Sequence, residues 1–303
     1  MFAYRRPAHL ESVLTRLAEE PGIKQTKVHI FIDGPANPKE VSAVRDTIKV
    51  ARKKRGFCQI VLHRSRKNRG LATAITTGVS WMCRRYGRVI VLEDDIQPRP
   101  GFLSFMNLAL RRYFDKPQVF GVSAYNFSLG PSDTKVKILP LSSSWGWATW
   151  SRAWKLFRAD ENEMRKFLHC PIRRKDFDLQ GAFPFSRLLQ DSLSRPRQTW
   201  AVRWHYSMYC HQGVQIFPPV SLVTNIGKDG SGTHDEFLKN EKQTKPPVSL
   251  DQLRWPKNLQ IDHVFLGKIR NYLRQQNKRQ SRPKWSFLWL WLKRQKIWSW
   301  FKE

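Results

Sequence analysis

Acidic residues are scarce in this chain: 24 Asp and Glu stand against 54 Lys and Arg among 303 residues, leaving a formal charge of +30. Cysteine is scarcer still. Cys58, Cys83, Cys170 and Cys210 lie far apart, with no CxxC and no Cys/His zinc spacing, which excludes a zinc knot and a disulfide framework and fits reduced thiols. No run of apolar residues approaches the roughly 20 needed to span a bilayer. The first residues contain neither an apolar signal core nor a small-residue cleavage site, so the expected compartment is the cytoplasm. Neither GxGxxG nor GxxxxGK[ST] occurs, which argues against phosphate binding through a Rossmann or P-loop turn, and there is no internal repeat.

What the chain does have is aromatic surface. With 18 Phe, 13 Trp and 7 Tyr it has ample area to bury, and disorder throughout is excluded. Residues 1 to about 235 alternate between strand-like and helix-like stretches. KVHIFID (Lys27 to Asp33), GFCQIVLHR and GRVIVLEDD are short β-branched runs; PKEVSAVRDTIKVARKK and GLATAITTGVSWMCRRYG separate them with helical patterns. That alternation predicts an α/β fold, a mostly parallel sheet flanked by helices on both faces. Ligands of such sheets bind at the carboxyl ends of the strands, which directs attention to Arg5 and Arg6, Asp33, His63 to Asn68, and Glu93-Asp94-Asp95.

The last of these is the most informative. Three consecutive carboxylates at the exit of an apolar strand repel one another unless a cation compensates. A hard divalent ion such as Mn²⁺ or Mg²⁺, which takes one or two carboxylates plus substrate phosphates, suits that position, with a nucleotide supplying the phosphates. Downstream, LSSSWGWATWSRAWKLF places Trp145, Trp147, Trp150 and Trp154 within ten residues. Flat aromatic faces beside serines suit a sugar. Trp145 and Trp147, flanking Gly146, are expected in the site, and Trp150 and Trp154 in the core. The segment TNIGKDGSGTH, with Gly227, Gly230 and Gly232 followed by His234, reads as a mobile loop over a bound phosphate, with His234 as a further metal or phosphate contact.

Taken together, these segments resemble GT-A-fold glycosyltransferases, in particular the N-acetylglucosaminyltransferase I-like group and bacterial family 2 enzymes with similar motifs. FAYRRPAHL, FIDG, HRSRKNRGLATAITTGVSW, VLEDDIQPRPGFLSFM, VSAYN, SSSWGWATW and NIGKDGSGTH follow the family's order from the first residues to about Asn240. The resemblance implies a Rossmann-like GT-A domain over residues 1–240. It implies that Asp33 contacts the base of a nucleotide-sugar donor, that Arg6 lies near the nucleotide and Asp94 near the ribose, and that Asp95 ligates Mn²⁺ or Mg²⁺ on the diphosphate. Glu93 would face the donor sugar, Gly232 and His234 would lie on the closing loop, and an acceptor hydroxyl would displace the diphosphate with inversion. The general base expected from the family departs here: QTWAVRWHYSMY (Gln198 to Tyr209) contains no carboxylate, so His205, and after it Asp191, are the candidates.

Residues 241–303 read as a polar connection and a tail. From Lys268 to Glu303 there are eleven basic residues and one acid, and WSFLWLWLKRQKIWSWF holds five tryptophans beside Lys293, Arg294 and Lys296. That composition suits the interface of an anionic membrane. The expectation is therefore a peripheral enzyme at the inner face of the cell membrane, using a UDP-sugar or similar donor and a glycan or lipid-linked acceptor of surface polysaccharide synthesis. Competing readings are a sugar-nucleotide nucleotidyltransferase, which lacks its Gly-rich nucleotide loop here, and a non-catalytic carbohydrate- or nucleic-acid-binding protein. Nucleic acid is the weaker partner: no RNP-like, helix-turn-helix or zinc-finger pattern is present.

Overall fold

A computed structural model describes residues 1–53, 56–130, 133–194, 199–227 and 249–280. Its first part runs β1 (Phe2–Ala3), α1 (Pro7–Ala18), β2 (Lys27–Ile32), α2 (Val41–Lys53), β3 (Gln59–Arg64), α3 (Leu71–Tyr86) and β4 (Arg88–Val91). A second part follows with β5 (Ile96–Pro98), α4 (Phe102–Arg112), β6 (Val119–Ser123), β7 (Lys137–Leu139), β8 (Trp147–Trp150) and α5 (Ser151–Trp154). Then come α6 (Glu161–Leu168), α7 (Pro171–Phe177), α8 (Phe185–Ser194), α9 (Ala201–Cys210), β9 (Val214–Phe217), β10 (Val223–Asn225) and α10 (His263–Gln280).

The strands form a parallel sheet β1-β2-β3, a mixed sheet β4-β8-β6-β9-β7 and a short antiparallel pair β5-β10. The first two are joined. Phe2 N–H donates to Leu92 O at 2.9 Å and Phe2 bridges Glu93 in parallel, so β1 lies against the end of β4. Because β8 is antiparallel to both β4 and β6, and β9 is parallel to β6, the strands β1, β2, β3, β4, β6 and β9 all point the same way. The expected α/β fold with a parallel sheet and flanking helices is what the chain forms. Two antiparallel strands, β7 and β8, are added in its second half.

Helices cover both faces, as the alternation along β2 requires. Val28, Ile30 and Ile32 pack in one core with Leu10, Val13, Leu14 and Leu17 of α1, a helical i, i+3, i+4, i+7 stripe. Phe31 turns the other way, onto Phe2 and α3. Buried on both faces, β2 carries the near-continuous apolar run seen in its sequence. Gly78 explains how α3 closes on this face: a Cβ there would lie 2.6 Å from the Phe2 ring. The second core is a tryptophan layer, Trp147, Trp154, Trp200 and Trp204, beneath α3, α5 and α9. From the segment read as the start of a tail, Phe265, Leu266, Ile269 and Leu273 of α10 pack into the first core. The Trp-rich stretch 285–301 lies outside the described residues; among the described residues no helix is long and apolar enough to cross a membrane.

Candidate active site

The common direction of the strands brings the ends of β1, β2 and β4 to one crevice. Past β4 the chain turns at Asp94 and Asp95, closed by Ile96 N–H on Glu93 O at 3.1 Å. Asp94 is buried, and its two oxygens accept from Arg6 Nη2 at 2.5 Å and from Tyr4 N–H at 3.1 Å. The same Arg6 Nη2 reaches Asp95 Oδ2 at 3.0 Å, so one guanidinium nitrogen spans two carboxylates. Its Nη1 is buried without a partner among the described residues.

Among the described residues one arginine stands against three acids. Burial and the charges of Asp95 and Asp94 push the Glu93 carboxyl up to about 8, against the opposing pull of Arg6. Burial also raises Asp94 above its ordinary range, with Arg6 working in the other direction. The crevice therefore has room, electrostatically, for another cation. Among the described residues no three His, Cys, Asp or Glu side chains converge to hold a metal by themselves. Mn²⁺ or Mg²⁺ needs only one or two protein carboxylates when phosphates complete its shell, and half-buried Asp95 and Glu93 fit that requirement. Asp95 also touches the start of the Gly-rich segment. Ile226 N–H donates to Asp95 O at 2.9 Å, and a Cβ on Gly227 would lie 2.5 Å from Asp95 Oδ2. Only glycine lets the backbone pass this close to the carboxylate.

Asp33 stands at the end of β2 as the sequence indicates, but its carboxylate is occupied. It accepts from Gly34 N–H at 2.9 Å, from Arg69 N–H with both oxygens at 3.0 Å, and from Gly70 N–H at 2.9 Å. Asn68 Nδ2 adds a bond to Gly34 O at 2.9 Å. These bonds staple the turn after β2 to the entry of α3 and form one floor of the crevice. In this structure the Asp33 side chain therefore anchors the turn after β2 to the start of α3. At the rim, the Tyr4 hydroxyl donates to Glu40, Arg5 Nη1 donates to Glu40 Oε1 at 2.6 Å, and Ala36 N–H donates to Tyr4 OH at 2.9 Å. Glu40 had no sequence signal, because it is brought here by the loop after β2 and not by any motif.

The aromatic segment divides differently from the expectation. Trp145 is half-buried, edge-on to Tyr125 at 4.9 Å. Gly146 has φ +62° and meets Val223, Ala124 and Leu92, a left-handed, crowded position suited to glycine. Trp147 is a correction. It is 1% exposed and stacked on Trp200 at 5.0 Å, because the strand pleat of β8 turns its ring into the tryptophan layer rather than toward the crevice. Trp150 and Trp154 are buried too, their indole N–H groups donating to Leu110 O and Ser80 Oγ.

His205 is the second correction. It is 2% exposed, with its ring 4.9 Å from Phe177 and 4.2 Å from Phe185, and neither nitrogen has a partner among the described residues. Burial alone pushes it down to about 3. A general base must touch the proton it takes, and this ring is sealed between α7 and α8. Burial of α9 on every side decided this, since Val202 to Met208 are buried without a break and no face of that stretch turns His205 to solvent. Asp191 sits exposed on α8. Gly232 and His234 lie outside the described residues.

No family model matches the chain, and no curated protein matches it. Among solved structures it overlaps the crystal structure of GalNAc-T7 with UDP, GalNAc and Mn²⁺ at 9% identity and a TM-score of 0.45, over 74% of this chain and 43% of that one. It overlaps the apo form of mouse xyloside xylosyltransferase 1 at 11% identity and a TM-score of 0.35, over 70% of this chain and 81% of that one. The chain thus spans less than half the length of the GalNAc-T7 chain. Overlaps this loose carry no weight for function, which rests on the crevice itself.

Proposed function

We propose that the chain is a divalent-metal-dependent glycosyltransferase of GT-A type that moves a sugar from a nucleotide-sugar, a UDP-sugar by preference, to a glycan or lipid-linked acceptor. The observation that carries this reading is the row Glu93-Asp94-Asp95 at the carboxyl ends of parallel strands, compensated among the described residues by a single guanidinium. The order of motifs from FAYRRP to NIGKDGSGTH supports it.

In this reading Asp95 would hold Mn²⁺ or Mg²⁺ together with phosphates of the donor. When bound, the ion supplies Lewis-acid neutralisation of the charge developing on the departing nucleoside diphosphate. Asp94 fixes Arg6 and, through Tyr4 N–H, the end of β1. The free Nη1 of Arg6 is a donor for a phosphate oxygen. Asp33 holds the floor of the crevice rigid, and Glu93 and Trp145 face the donor and acceptor sugars. The acceptor hydroxyl oxygen bonds to the anomeric carbon as the bond from that carbon to the diphosphate oxygen breaks, inverting the centre. The hydroxyl proton passes to a base other than His205; exposed Asp191 is the carboxylate to test first. In this reading the basic, Trp-rich tail 285–301 keeps the enzyme at the cytoplasmic face of a membrane.

A second reading, a donor-binding protein without turnover, is favoured by the burial of His205, which leaves the expected base position empty of an accessible titratable group. One experiment separates the two. Purified protein is offered UDP-, GDP- and dTDP-sugars with Mn²⁺ or with EDTA, with nucleotide release and thermal shift read in parallel. Metal-dependent release from one donor, lost in Asp95→Ala and kept in His205→Phe, establishes the transferase. Metal-dependent thermal stabilisation without release, including with added acceptor glycans, establishes the binding protein. Neither signal in the wild-type chain overturns the donor-site assignment.

A further inference from the structure

The crevice proposed to take an anionic ligand is lined on one side by anions. Glu93, Asp94 and Asp95 stand there, and Arg6 is bonded to the last two. A nucleoside diphosphate nearing that row is repelled until a metal ion is in place. The other side of the same pole carries the opposite charge. β3 ends at Arg64 beside the ends of β2 and β1, about 14 Å from the end of β4 at three strand spacings. From there Ser65 to Gly70 lead into α3, and Arg64, Arg66, Lys67 and Arg69 are all exposed. Among the described residues none of the four is paired with an acid. The nearest carboxylates are committed elsewhere: Asp33 is buried and taken up by backbone N–H groups, and Glu40 serves Tyr4, Arg5 and Ala36.

The backbone of this loop is fixed without help from its charged groups. Ser65 N–H donates to Ile32 O at 3.0 Å, and Ser65 Oγ donates to Lys67 O at 2.7 Å. Asn68 and the Asp33 carboxylate tie the rest to the turn after β2, so closely that a Cβ on Gly34 would lie 2.7 Å from the Lys67 carbonyl carbon. Four like charges within six residues repel one another. Backbone bonds nevertheless hold them together at the mouth of the crevice, where a multiply charged anion relieves the repulsion. We infer that Arg64, Arg66, Lys67 and Arg69 are the electrostatic entry for the donor: they draw the nucleoside diphosphate to the crevice and set how fast it binds, while the carboxylate row and its metal set how long it stays. The inference rests on the donor reading given above and adds to it the residues that govern association. A separation of about 14 Å exceeds the screening length of about 8 Å at physiological ionic strength and falls within the roughly 30 Å of a dilute buffer. The attraction therefore acts through space and fades as salt rises.

The test follows association and dissociation of fluorescently labelled UDP, GDP and dTDP, each with Mn²⁺, on the full chain by stopped flow at about 0.01 M and about 0.5 M salt. Arg64→Gln, Arg66→Gln, Lys67→Gln and Arg69→Gln together are compared with a charge-matched quadruple at exposed positions of the opposite pole, Lys27→Gln, Arg84→Gln, Arg85→Gln and Arg88→Gln. At low salt the loop quadruple is expected to bind about tenfold more slowly, with dissociation within about twofold of wild type, and the deficit closes at high salt. The opposite-pole quadruple is expected to slow by less than about twofold. Lys67→Glu alone is expected to slow association about threefold and serves if the loop quadruple fails to fold. Equal losses in the two quadruples, a deficit that high salt leaves intact, or a change confined to dissociation overturns the inference. A wild-type chain that binds none of the three nucleotides overturns it together with the donor reading; a loop quadruple that binds as fast as a binding-competent wild type overturns it alone.

Discussion

Two regions of this molecule bury titratable groups, and they treat them in opposite ways. In the crevice at the ends of β1, β2 and β4, three carboxylates have named partners: Asp94 holds Arg6 and Tyr4, Asp95 holds Arg6, and Asp33 takes the backbone N–H groups of Gly34, Arg69 and Gly70. In α9, His205 is enclosed by Phe177 and Phe185, and among the described residues neither its nitrogens nor the indole N–H groups of Trp147 and Trp204 have a partner. The first region keeps an excess of negative charge that a ligand cation can relieve. The second removes charge altogether, since burial holds His205 neutral. A titratable residue near a predicted site is informative about chemistry only where the fold leaves it charged and within reach.

The tryptophan layer should give the largest effect. Trp147→Ala is expected to cost about 3–5 kcal/mol of stability, since it empties a fully buried ring site between Trp200 and Trp154. Urea unfolding measures this, and a loss under about 1 kcal/mol would place the ring on an open wall after all.

Arg6→Met probes the other region. Leaving Asp94 and Asp95 without their guanidinium should cost about 2–3 kcal/mol, less than for a fully buried pair because the arginine is 21% exposed. Part of that loss should return on adding Mn²⁺, seen as a larger metal-induced rise in melting temperature than in the wild-type chain. A loss that Mn²⁺ does not touch would mean that the carboxylates do not take the cation.

The pH dependence of stability sharpens the contrast. The ordinary value of a histidine is 6.5, while folded His205 is pushed down to about 3. Between these values the unfolded chain binds a proton that the folded chain refuses, so stability falls as pH drops through that window, by about 1.4 kcal/mol per unit. At pH 5 the wild-type chain should therefore have lost about 2 kcal/mol relative to pH 7 through this ring alone. His205→Phe should remove that share and leave the part due to His29, which burial and the neighbouring His63 push down to about 4. Identical acid sensitivity in the two chains would show that His205 is solvated and restore it as a candidate base.

Asp33→Asn should have the smallest effect, about 1–2 kcal/mol, since the amide keeps one acceptor oxygen but turns its NH2 donor toward an N–H group that the other oxygen served. Titrations with different nucleotides should show all of them weakened alike. A change in selectivity among bases would instead return Asp33 to direct contact with the donor.

The division between what could be read and what could not follows from range. Local pattern determined the α/β order, the strands at Lys27–Ile32 and Arg88–Val91, and the row Glu93-Asp94-Asp95 at a strand exit, because periodicity and like-charge crowding act over a few residues. The need for glycine at 146 and 227 showed in composition but not its cause, which is the approach of Val223 to one and of Asp95 to the other. Tertiary structure alone decided that Trp147 and His205 face inward, that Asp33 is consumed by the entry of α3, and that Glu40 reaches the rim. Which way a side chain points is set by the register of strands and helices against partners 28 to 90 residues away in sequence, as with His29 and Met1, or Tyr4 and Asp94. The sequence by itself determined which residues could do chemistry; packing decided which of them meet water, a ligand or only one another.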